Sequence, residues 1–530
     1  MKNFDSFGVM IDCSRGAVPN IDGLKRFFKM LSGMGYNCAM LYTEDTYEVG
    51  GEPYFGYKRG RYSAEELREL DAYAASVGIE LIPCIQTLAH LNAAFRWQEY
   101  KKIQDCDDIL LVDDERTYEL IERMFASMAN CLRSRRIHIG MDEAYRVGLG
   151  KYLDRHGFCD RYELLLRHLM RVCEIAKRYG YEPMMWEDMF FRLTDGEYRR
   201  RDGIHFPEEV IKKVPADVAL VYWDYYADSA DYYENMIRSS KMLSDKVWFA
   251  GGAWTWGGFA PHNRLSIRRN ELAIPACIRG GIRHAFFTMW GDNGGECPYF
   301  SVLPALMHAV AIAEGMTEDQ MREKFRAVTG EAYDAFLELD LPNHIFGENP
   351  MVGSANYSKN RLYNDPFLGI LDLNAEGADG GVYPEYAKRL HQRAAESAGF
   401  GWLFEAMAYL CDVLEIKFSL SEKTRTLYAV GDKAGLRALA ENEYSECLAR
   451  LERFYRAYRT QWYKVNKTYG FEVQDARLGG LMQRMKSCRE RLLAYCDGAV
   501  SAIEELAEPV LANDGGNVPS WREMVSANTL

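Results

Sequence analysis

The chain has 530 residues and a formal net charge of −13, with 27% charged residues. This length exceeds what one hydrophobic core normally supports, so we expect one large domain with a smaller or extended partner. The acidic balance, without a block rich in lysine and arginine, argues against nucleic acid as a partner.

Two further features of the composition bear on the compartment. The 13 cysteines lack the paired spacing of zinc sites, and an odd number of them favours reduced thiols. The N-terminus lacks the apolar core of a secretory signal, and no apolar run approaches the roughly 20 residues of a membrane-spanning helix. We therefore expect a cytoplasmic protein with no membrane contact.

Short apolar segments alternate with longer amphipathic ones up to residue 315. This alternation is typical of repeated β-α units, and it predicts eight strands. They begin at Phe7, Cys38, Glu80, Arg136, Glu182, Val218, Val247 and His284. A capping box at residues 63–66 supports the helix that follows the second strand. We predict a (β/α)8 TIM barrel over residues 1–315. An open doubly wound sheet is the alternative, which the absence of a G-x-G-x-x-G turn disfavours.

The alternation ends after the eighth unit. Residues 316–383 are predicted to form a connecting helix and an irregular segment rich in Asn, Gly, Pro and Asp. Residues 384–530 are charged, rich in Ala, Leu and Tyr, and periodic like a helix, which predicts a mainly α-helical C-terminal region. Its aromatic helices favour burial, either against the barrel or against a second copy in a homodimer.

Acidic and aromatic residues gather where the predicted strands end, which is where a TIM barrel carries its active site. Carboxylates bind sugar hydroxyls, and indoles stack on the apolar face of a sugar ring. The sequence therefore predicts a carbohydrate site. The residues at these ends are Asp12, Arg15, Glu44, Asp45, His90, Asp142, Glu143, Trp186–Asp188, Tyr222–Asp224, Trp254, Trp256 and Trp290–Asp292.

The sharpest local signal is the segment 138-HIGMDE-143. Neighbouring side chains of a regular strand point to opposite faces, so Asp142 and Glu143 can share a pocket only if the strand ends or bends there. Two close carboxylates separate their pKa values, so that one stays ionised while the other holds a proton near neutral pH. A pair that caps the next helix, or a surface ion pair, is the alternative interpretation.

Over residues 1–310 the sequence resembles glycoside hydrolase family 20, the β-N-acetylhexosaminidases. The family's fourth-strand signature His-x-Gly-x-Asp-Glu is matched completely by residues 138–143. Pro83 and His90 match the ends of a Pro-Glu-x-Asp-x-Pro-Gly-His segment. Trp186 is followed by two acids, Tyr222-Trp223-Asp224 matches Tyr-x-Asp, and Trp290-Gly291-Asp292 matches Trp-Gly-Glu with aspartate in place of glutamate.

This resemblance implies an exo-acting enzyme that removes terminal, non-reducing β-linked GlcNAc or GalNAc from an oligosaccharide or glycoconjugate. The mechanism it implies is retaining and substrate-assisted, through an oxazolinium ion, and needs no cofactor or metal. Glu143 would be the general acid and base, Asp142 would orient the acetamido group, and Tyr222 would donate a hydrogen bond to it. His138 would support the acid pair. The implied substrate-binding residues are Arg15, Glu44, His90, Trp186, Asp224, Trp254, Trp290 and Asp292.

Departures from the family pattern leave other interpretations open. Phe7 stands where the family has an arginine, so Arg15 is a candidate substitute, and no tryptophan lies between Glu143 and Trp186. One alternative is a retaining β-glycosidase in which a carboxylate such as Glu187 is the nucleophile. Another is a sugar-binding barrel without activity, because a fold alone does not establish catalysis.

Overall fold

The computed structural model describes residues 2–346, 356–375 and 377–511. Eight parallel strands pair in sequence order, and β1 pairs with β8 to close a barrel. The predicted TIM barrel is therefore confirmed. The strands are β1 (Ser6–Asp12), β2 (Cys38–Tyr42), β3 (Glu80–Cys84), β4 (Arg136–His138), β5 (Glu182–Trp186), β6 (Ala219–Trp223), β7 (Val247–Gly252) and β8 (His284–Met289).

Helices surround the barrel and then continue as a C-terminal helical region. Those up to the end of the last β-α unit are α1 (Ile21–Met34), α2 (Ala64–Ser76), α3 (Gln98–Lys101), α4 (Glu115–Ala129), α5 (Lys151–His156), α6 (Arg161–Arg178), α7 (Asp188–Asp195), α8 (Glu208–Ile211), α9 (Ala230–Leu243), α10 (Asn263–Arg279) and α11 (Leu303–Glu314). The later ones are α12 (Glu318–Thr329), α13 (Tyr333–Leu337), α14 (Tyr357–Tyr363), α15 (Tyr383–Glu396), α16 (Gly401–Ala429), α17 (Lys433–Leu439), α18 (Ser445–Val465), α19 (Phe471–Cys496) and α20 (Glu504–Ala507).

Local signals in the sequence set the ends of several of these helices. The predicted capping box forms at the start of α2, where the Ser63 side chain accepts the Glu66 N–H and the Glu66 carboxylate accepts the Ser63 N–H. Gly35 ends α1 with a φ of 114°, a conformation that favours glycine. These signals fix where each strand begins and so contribute to the register of the barrel.

Successive side chains of each strand point in turn to two cores, one inside the barrel and one between the strands and the helices. Met10, Met184 and Val221 face the interior of the barrel, whereas Tyr222 packs in the layer between the strands and the helices. Successive side chains of a strand point to opposite faces, so this parity decides which strand-end residues can reach a central pocket.

The C-terminal helical region packs on the barrel face that carries the strand ends. The loop between α18 and α19 pairs with the loop after β1 through a bridge between Pro19 and Asn466. Phe259, in the loop after β7, packs edge-on against Phe454 of α18, with ring centroids 5.3 Å apart. Part of the predicted irregular segment, residues 347–355 and 376, lies outside the described residues. The part of this segment that the structure describes contains α14 and, after it, short turns. No helix in the described ranges is long and apolar enough to cross a membrane.

Candidate active site

The two adjacent acids lie on a sharp turn directly after β4. The strand ends at His138, and Gly140, Met141 and Glu143 all have positive φ, of 72°, 73° and 54°. This bend brings the Asp142 and Glu143 side chains into one pocket at the strand ends. The requirement inferred from the sequence, that the strand must end or bend there, is therefore met.

A histidine from the loop after β3 faces both carboxyl groups. His90 Nε2 lies 3.1 Å from Asp142 Oδ2 and 3.9 Å from Glu143 Oε2. Burial would lower the pKa of His90, but the Asp142 carboxylate outweighs it and raises that pKa to about 10. Burial opposes ionisation of Asp142 as well, yet His90 and a hydrogen bond from Gln86 hold the pKa of Asp142 below its usual range. Near neutral pH the pair is therefore an imidazolium and a carboxylate.

Gln86, which the sequence analysis missed, fixes the position of Asp142. Its Nε2 donates to Asp142 Oδ1 at 2.8 Å and to the Tyr42 hydroxyl at 2.9 Å. Its Oε1 accepts the Met141 N–H at 3.2 Å. The available signal was a polar residue just beyond the apolar run of β3, and the structure places it in a fully buried position. A buried amide with all of these bonds is a rigid support, since leaving any of them unmade is costly.

The close approach of Gln86 explains the glycine in the acid turn. A Cβ on Gly140 would lie 1.9 Å from Gln86 Oε1, and the φ of 72° is itself unfavourable for other residues. We expect Gly140→Ala to lower the free energy of unfolding by at least about 2 kcal/mol, from backbone strain and overpacking together. Urea unfolding followed by circular dichroism measures this change.

Gly78→Ala is the matched control for this substitution. Gly78 has a similar φ of 78°, but a Cβ there meets nothing within 4 Å. Its alanine variant should therefore show only the backbone strain, on the order of 1 kcal/mol. Equal losses in the two variants would show that the contact with Gln86 contributes nothing.

Glu143 is held from two sides by residues after β4 and β5. The Tyr145 hydroxyl donates to Glu143 Oε1 at 2.7 Å, and Asp188 Oδ2 accepts the Glu143 N–H at 3.1 Å. The Glu143 side chain remains 42% exposed, whereas that of Asp142 is 13% exposed. Glu143 is therefore the acid of the pair that is more accessible to solvent and to a bound molecule.

The remaining wall of the pocket is mainly aromatic. Trp186 forms the floor, with its ring centroid 4.4 Å from that of His138. Trp290 stands at right angles to Tyr42, with the centroids 4.7 Å apart, and its Nε1 donates to the Tyr225 hydroxyl at 3.1 Å. Such walls suit the apolar faces of a sugar ring. The aromatic lining residues are Tyr42, Trp186, Trp223, Tyr225, Tyr226, Trp256 and Trp290.

Arg15 and Asp292 supply charge at the rim of the pocket. Arg15 Nε lies 3.6 Å from Asp292 Oδ1, and its Nη1 lies 3.2 Å from Glu44 Oε1. Glu44 itself is buried behind the wall, where it accepts the Tyr42 hydroxyl at 3.1 Å. The structure thus brings Arg15, His90, Trp186, Trp290 and Asp292 together in the pocket as predicted. Glu44 only supports two of the wall residues.

Like Glu44, three further predicted site residues do not line the pocket: Tyr222, Asp224 and Trp254. Tyr222 faces the helices because its neighbour Val221 faces the barrel interior. The Tyr222 hydroxyl donates to Asp224, which is itself buried and accepts two backbone N–H groups of the turn that follows. Trp254 stacks behind Trp256, with ring centroids 4.0 Å apart. Trp223, Tyr225 and Trp256 occupy the wall instead, and strand parity counted from Val221 would have indicated Trp223.

His138, which was predicted to support the acid pair, bonds to the backbone of the acid turn and not to the acids themselves. It is fully buried, and its Nδ1 accepts the Gly140 N–H at 3.1 Å. Burial lowers the pKa of His138 to about 3, so the ring is neutral. It braces the acid turn against Trp186.

The C-terminal helical region anchors the loop that carries Asp292. Glu296 of this loop lies 2.6 Å from Lys359 Nζ on α14 and 3.0 Å from Arg477 Nη1 on α19. The same Arg477 nitrogen donates to the carbonyl of Asn293 at 2.6 Å. The Glu296 and Lys359 side chains are at most 1% exposed. The position of Asp292 therefore depends on helices outside the barrel.

Comparisons with known proteins match both parts of the chain. The family model described as glycosyl hydrolase family 20, catalytic domain, matches residues 7–239, and the glycoside hydrolase 20C C-terminal domain matches residues 334–526. Hexosaminidase D of Bos taurus is 25% identical over 296 residues, 54% of this chain and 78% of that protein. Hexosaminidase D of Homo sapiens is 25% identical over 223 residues, 40% of this chain and 44% of that protein.

Solved structures also align with the barrel. A GH20 exo-β-N-acetylglucosaminidase from Vibrio harveyi, in complex with N-acetylglucosamine, aligns with a TM-score of 0.46 and 18% identity. The alignment covers 64% of this chain and 57% of that chain. Among the sequence relatives, the match with human hexosaminidase D covers less than half of the length of that protein.

Proposed function

The chain belongs to glycoside hydrolase family 20, and from that premise we propose that it is an exo-acting β-N-acetylhexosaminidase. The substrate is an oligosaccharide or glycoconjugate that ends in β-linked GlcNAc or GalNAc. The observation that carries this proposal is the acid turn, which places Asp142 and Glu143 side by side in an aromatic pocket. The pocket is closed at the bottom by Trp186, as removal of a terminal sugar requires.

The proposed reaction uses the acetamido group of the substrate as nucleophile. Its carbonyl oxygen attacks the anomeric carbon, while Glu143 gives a proton to the leaving oxygen and the glycosidic bond breaks. Asp142, held as a carboxylate by His90 and Gln86, accepts the acetamido N–H and stabilises the positive oxazolinium ring. Glu143 then takes a proton from water, which attacks the same carbon and reopens the ring with retention of configuration.

Tyr225 is proposed to take the role that the resemblance gave to Tyr222. It lines the pocket, and its hydroxyl accepts the Trp290 indole N–H, so its own proton can turn from Thr288 to the acetamido oxygen of the substrate. A tyrosine hydroxyl in a mostly buried site is a suitable fixed donor that holds the acetamido carbonyl oxygen in line for its attack on the anomeric carbon.

The position of Glu187 argues against a carboxylate nucleophile. Glu187 is fully buried and accepts the Ser240 hydroxyl of α9 at 2.7 Å, on the side of the strand that faces the helices. Burial raises the pKa of Glu187 to about 8, so it is protonated at neutral pH and is a poor nucleophile. The intact acid turn likewise argues against a barrel that only binds sugar.

Hydrolysis of matched aryl β-glycosides tests the proposal. We expect the N-acetylglucosaminide or N-acetylgalactosaminide to be cleaved and the plain glucoside to be inert, because the glucoside lacks the acetamido nucleophile. The anomer released first should be β, as seen by proton NMR. Comparable cleavage of the glucoside would instead require a protein nucleophile and would reject this mechanism.

We also propose that the enzyme works in the cytoplasm. All 13 cysteines are free thiols, and most are buried in the cores. Burial raises the pKa of thiols such as Cys84, which makes them unreactive in a reducing compartment. Fractionation of cells that express the tagged protein measures its compartment directly.

A further inference from the structure

A second depression lies beside the active-site pocket on the same face of the barrel. It is formed by the loops that follow β5 and β6, and Tyr226 lines both hollows. The depression is lined by three arginines, Arg192, Arg199 and Arg201, and by two acids, Glu197 and Asp228.

The depression lies on the side where the leaving group departs. The general acid must stand beside the oxygen that leaves, so the second sugar unit is expected on the Glu143 side of the pocket. Glu143 accepts the Tyr145 hydroxyl, and the guanidinium of Arg192 lies 4.5 Å over the Tyr145 ring. Arg192 also lines the depression. The contacts from Glu143 through Tyr145 to Arg192 therefore lead from the site of bond cleavage into the depression.

Arg199 differs from the arginines around it. Arg192 pairs with Asp188 at 3.2 Å, and Arg201 pairs with Asp228 at 3.1 Å. Arg199 is exposed and forms no ion pair in the described parts of the chain, while its guanidinium lies 4.1 Å over the Tyr226 ring. Its charge is therefore held in place by the aromatic ring and remains available to a ligand.

The acids near Arg199 are already committed to other groups. Asp224 is buried and accepts the backbone N–H groups of Tyr226 and Ala227. Glu197 pairs with Arg200 at 3.0 Å. Arg199 attracts the buried Asp224 only at a distance, so an anion that enters the depression meets a guanidinium without a close ionic contact in the described ranges, beside an aromatic face.

We infer that Arg199 and Tyr226 form a leaving-group subsite for an acidic sugar, which carries a carboxylate or a sulfate ester. This inference rests on the proposed function. Tyr226 supports the ring of the second sugar, and Arg199 binds its anionic group, for which the guanidinium fork is well suited. The enzyme would then favour substrates whose penultimate unit is acidic.

Three disaccharides that differ only in the second unit test this inference. Each carries β-linked GlcNAc, on glucose, on glucuronic acid or on glucose 6-sulfate, and kcat/KM is measured by GlcNAc release at low ionic strength. We expect at least one acidic substrate to be preferred over the neutral one by about fivefold, the effect of one exposed ion pair. The comparison of the two acids tells carboxylate from sulfate, and 0.5 M NaCl should shrink the preference.

Variants of two adjacent arginines supply the controls. Arg199→Gln should reduce the preference to about one, and Arg199→Lys should keep part of it. Arg200→Gln, made together with Glu197→Gln, removes a neighbouring charge and its partner without leaving a free carboxylate in the depression, so the preference should persist. A wild-type enzyme without preference, or a preference that survives Arg199→Gln, would overturn the subsite. Failure to cleave even an aryl N-acetylglucosaminide would instead overturn the proposed function.

Discussion

Replacing Glu143 with glutamine is expected to lower kcat for an oligosaccharide by about two to four orders of magnitude. The amide cannot give a proton to the leaving oxygen, and it cannot take one from water in the second step. An aryl glycoside with a strongly acidic leaving group needs no proton for the first step. For this substrate, the substitution should therefore slow only the second step. Steady-state kinetics on both substrate types measures the difference.

Glu187→Gln is the control for this experiment. Glu187 follows β5 as Glu143 follows β4, but it is buried against α9 and already protonated at neutral pH. A neutral amide should therefore fit its place, and kcat should change by less than about threefold, as for groups remote from the reaction. If Glu187→Gln were the variant that abolished activity, a glycosyl-enzyme mechanism would replace the one proposed here.

Asp142→Asn is expected to reduce kcat by about two to three orders of magnitude, the usual cost of removing one preorganised charge from an active site. The asparagine keeps the size of the side chain but cannot balance the positive oxazolinium ring. The loss should fall on kcat more than on KM, because the charge develops mainly in the transition state.

The same variant should also change the titration of His90. With Asp142 neutral, burial lowers the pKa of His90 against only the remaining carboxylates nearby, such as Glu44 and Asp108, so this pKa should fall from about 10. Histidine side-chain NMR of the wild type and of Asp142→Asn follows this shift. A pKa of His90 that stays near 10 in the variant would show that Asp142 is not its ionic partner. A fall in kcat without that shift would point to a role for Asp142 other than this pair.

The barrel and its acid pair were predictable because short-range patterns determine them. Apolar runs placed all eight strands, and the glycine and adjacent acids of residues 138–143 indicated the turn after β4. The face on which each side chain lies at the end of β6 was harder to predict, because the Tyr-x-Asp match pointed to Tyr222 while the strand directs Trp223 inward. A family pattern gives residue types, whereas the face on which a side chain lies depends on where the strand leaves the sheet.

Long-range contacts account for most of what the sequence did not reveal. Gln86 acquires its role only because Gly140 comes within contact of it from another strand end. The anchor of the Asp292 loop joins residues of the loop after β8, of α14 and of α19, and no local pattern connects them. Self-association of the helical region stays a prediction.

The anchor formed by Glu296, Lys359 and Arg477 has a consequence for the order of events during synthesis. Arg477 reaches the Asn293 carbonyl across 184 residues of chain. Domains fold as they emerge from the ribosome, N-terminal parts first. All eight strands are therefore available to close the barrel long before α19 has been made. A nascent chain would pass through a stage in which the barrel is complete but the Asp292 loop is not yet anchored. Sugar binding would therefore become possible only in the last steps of folding.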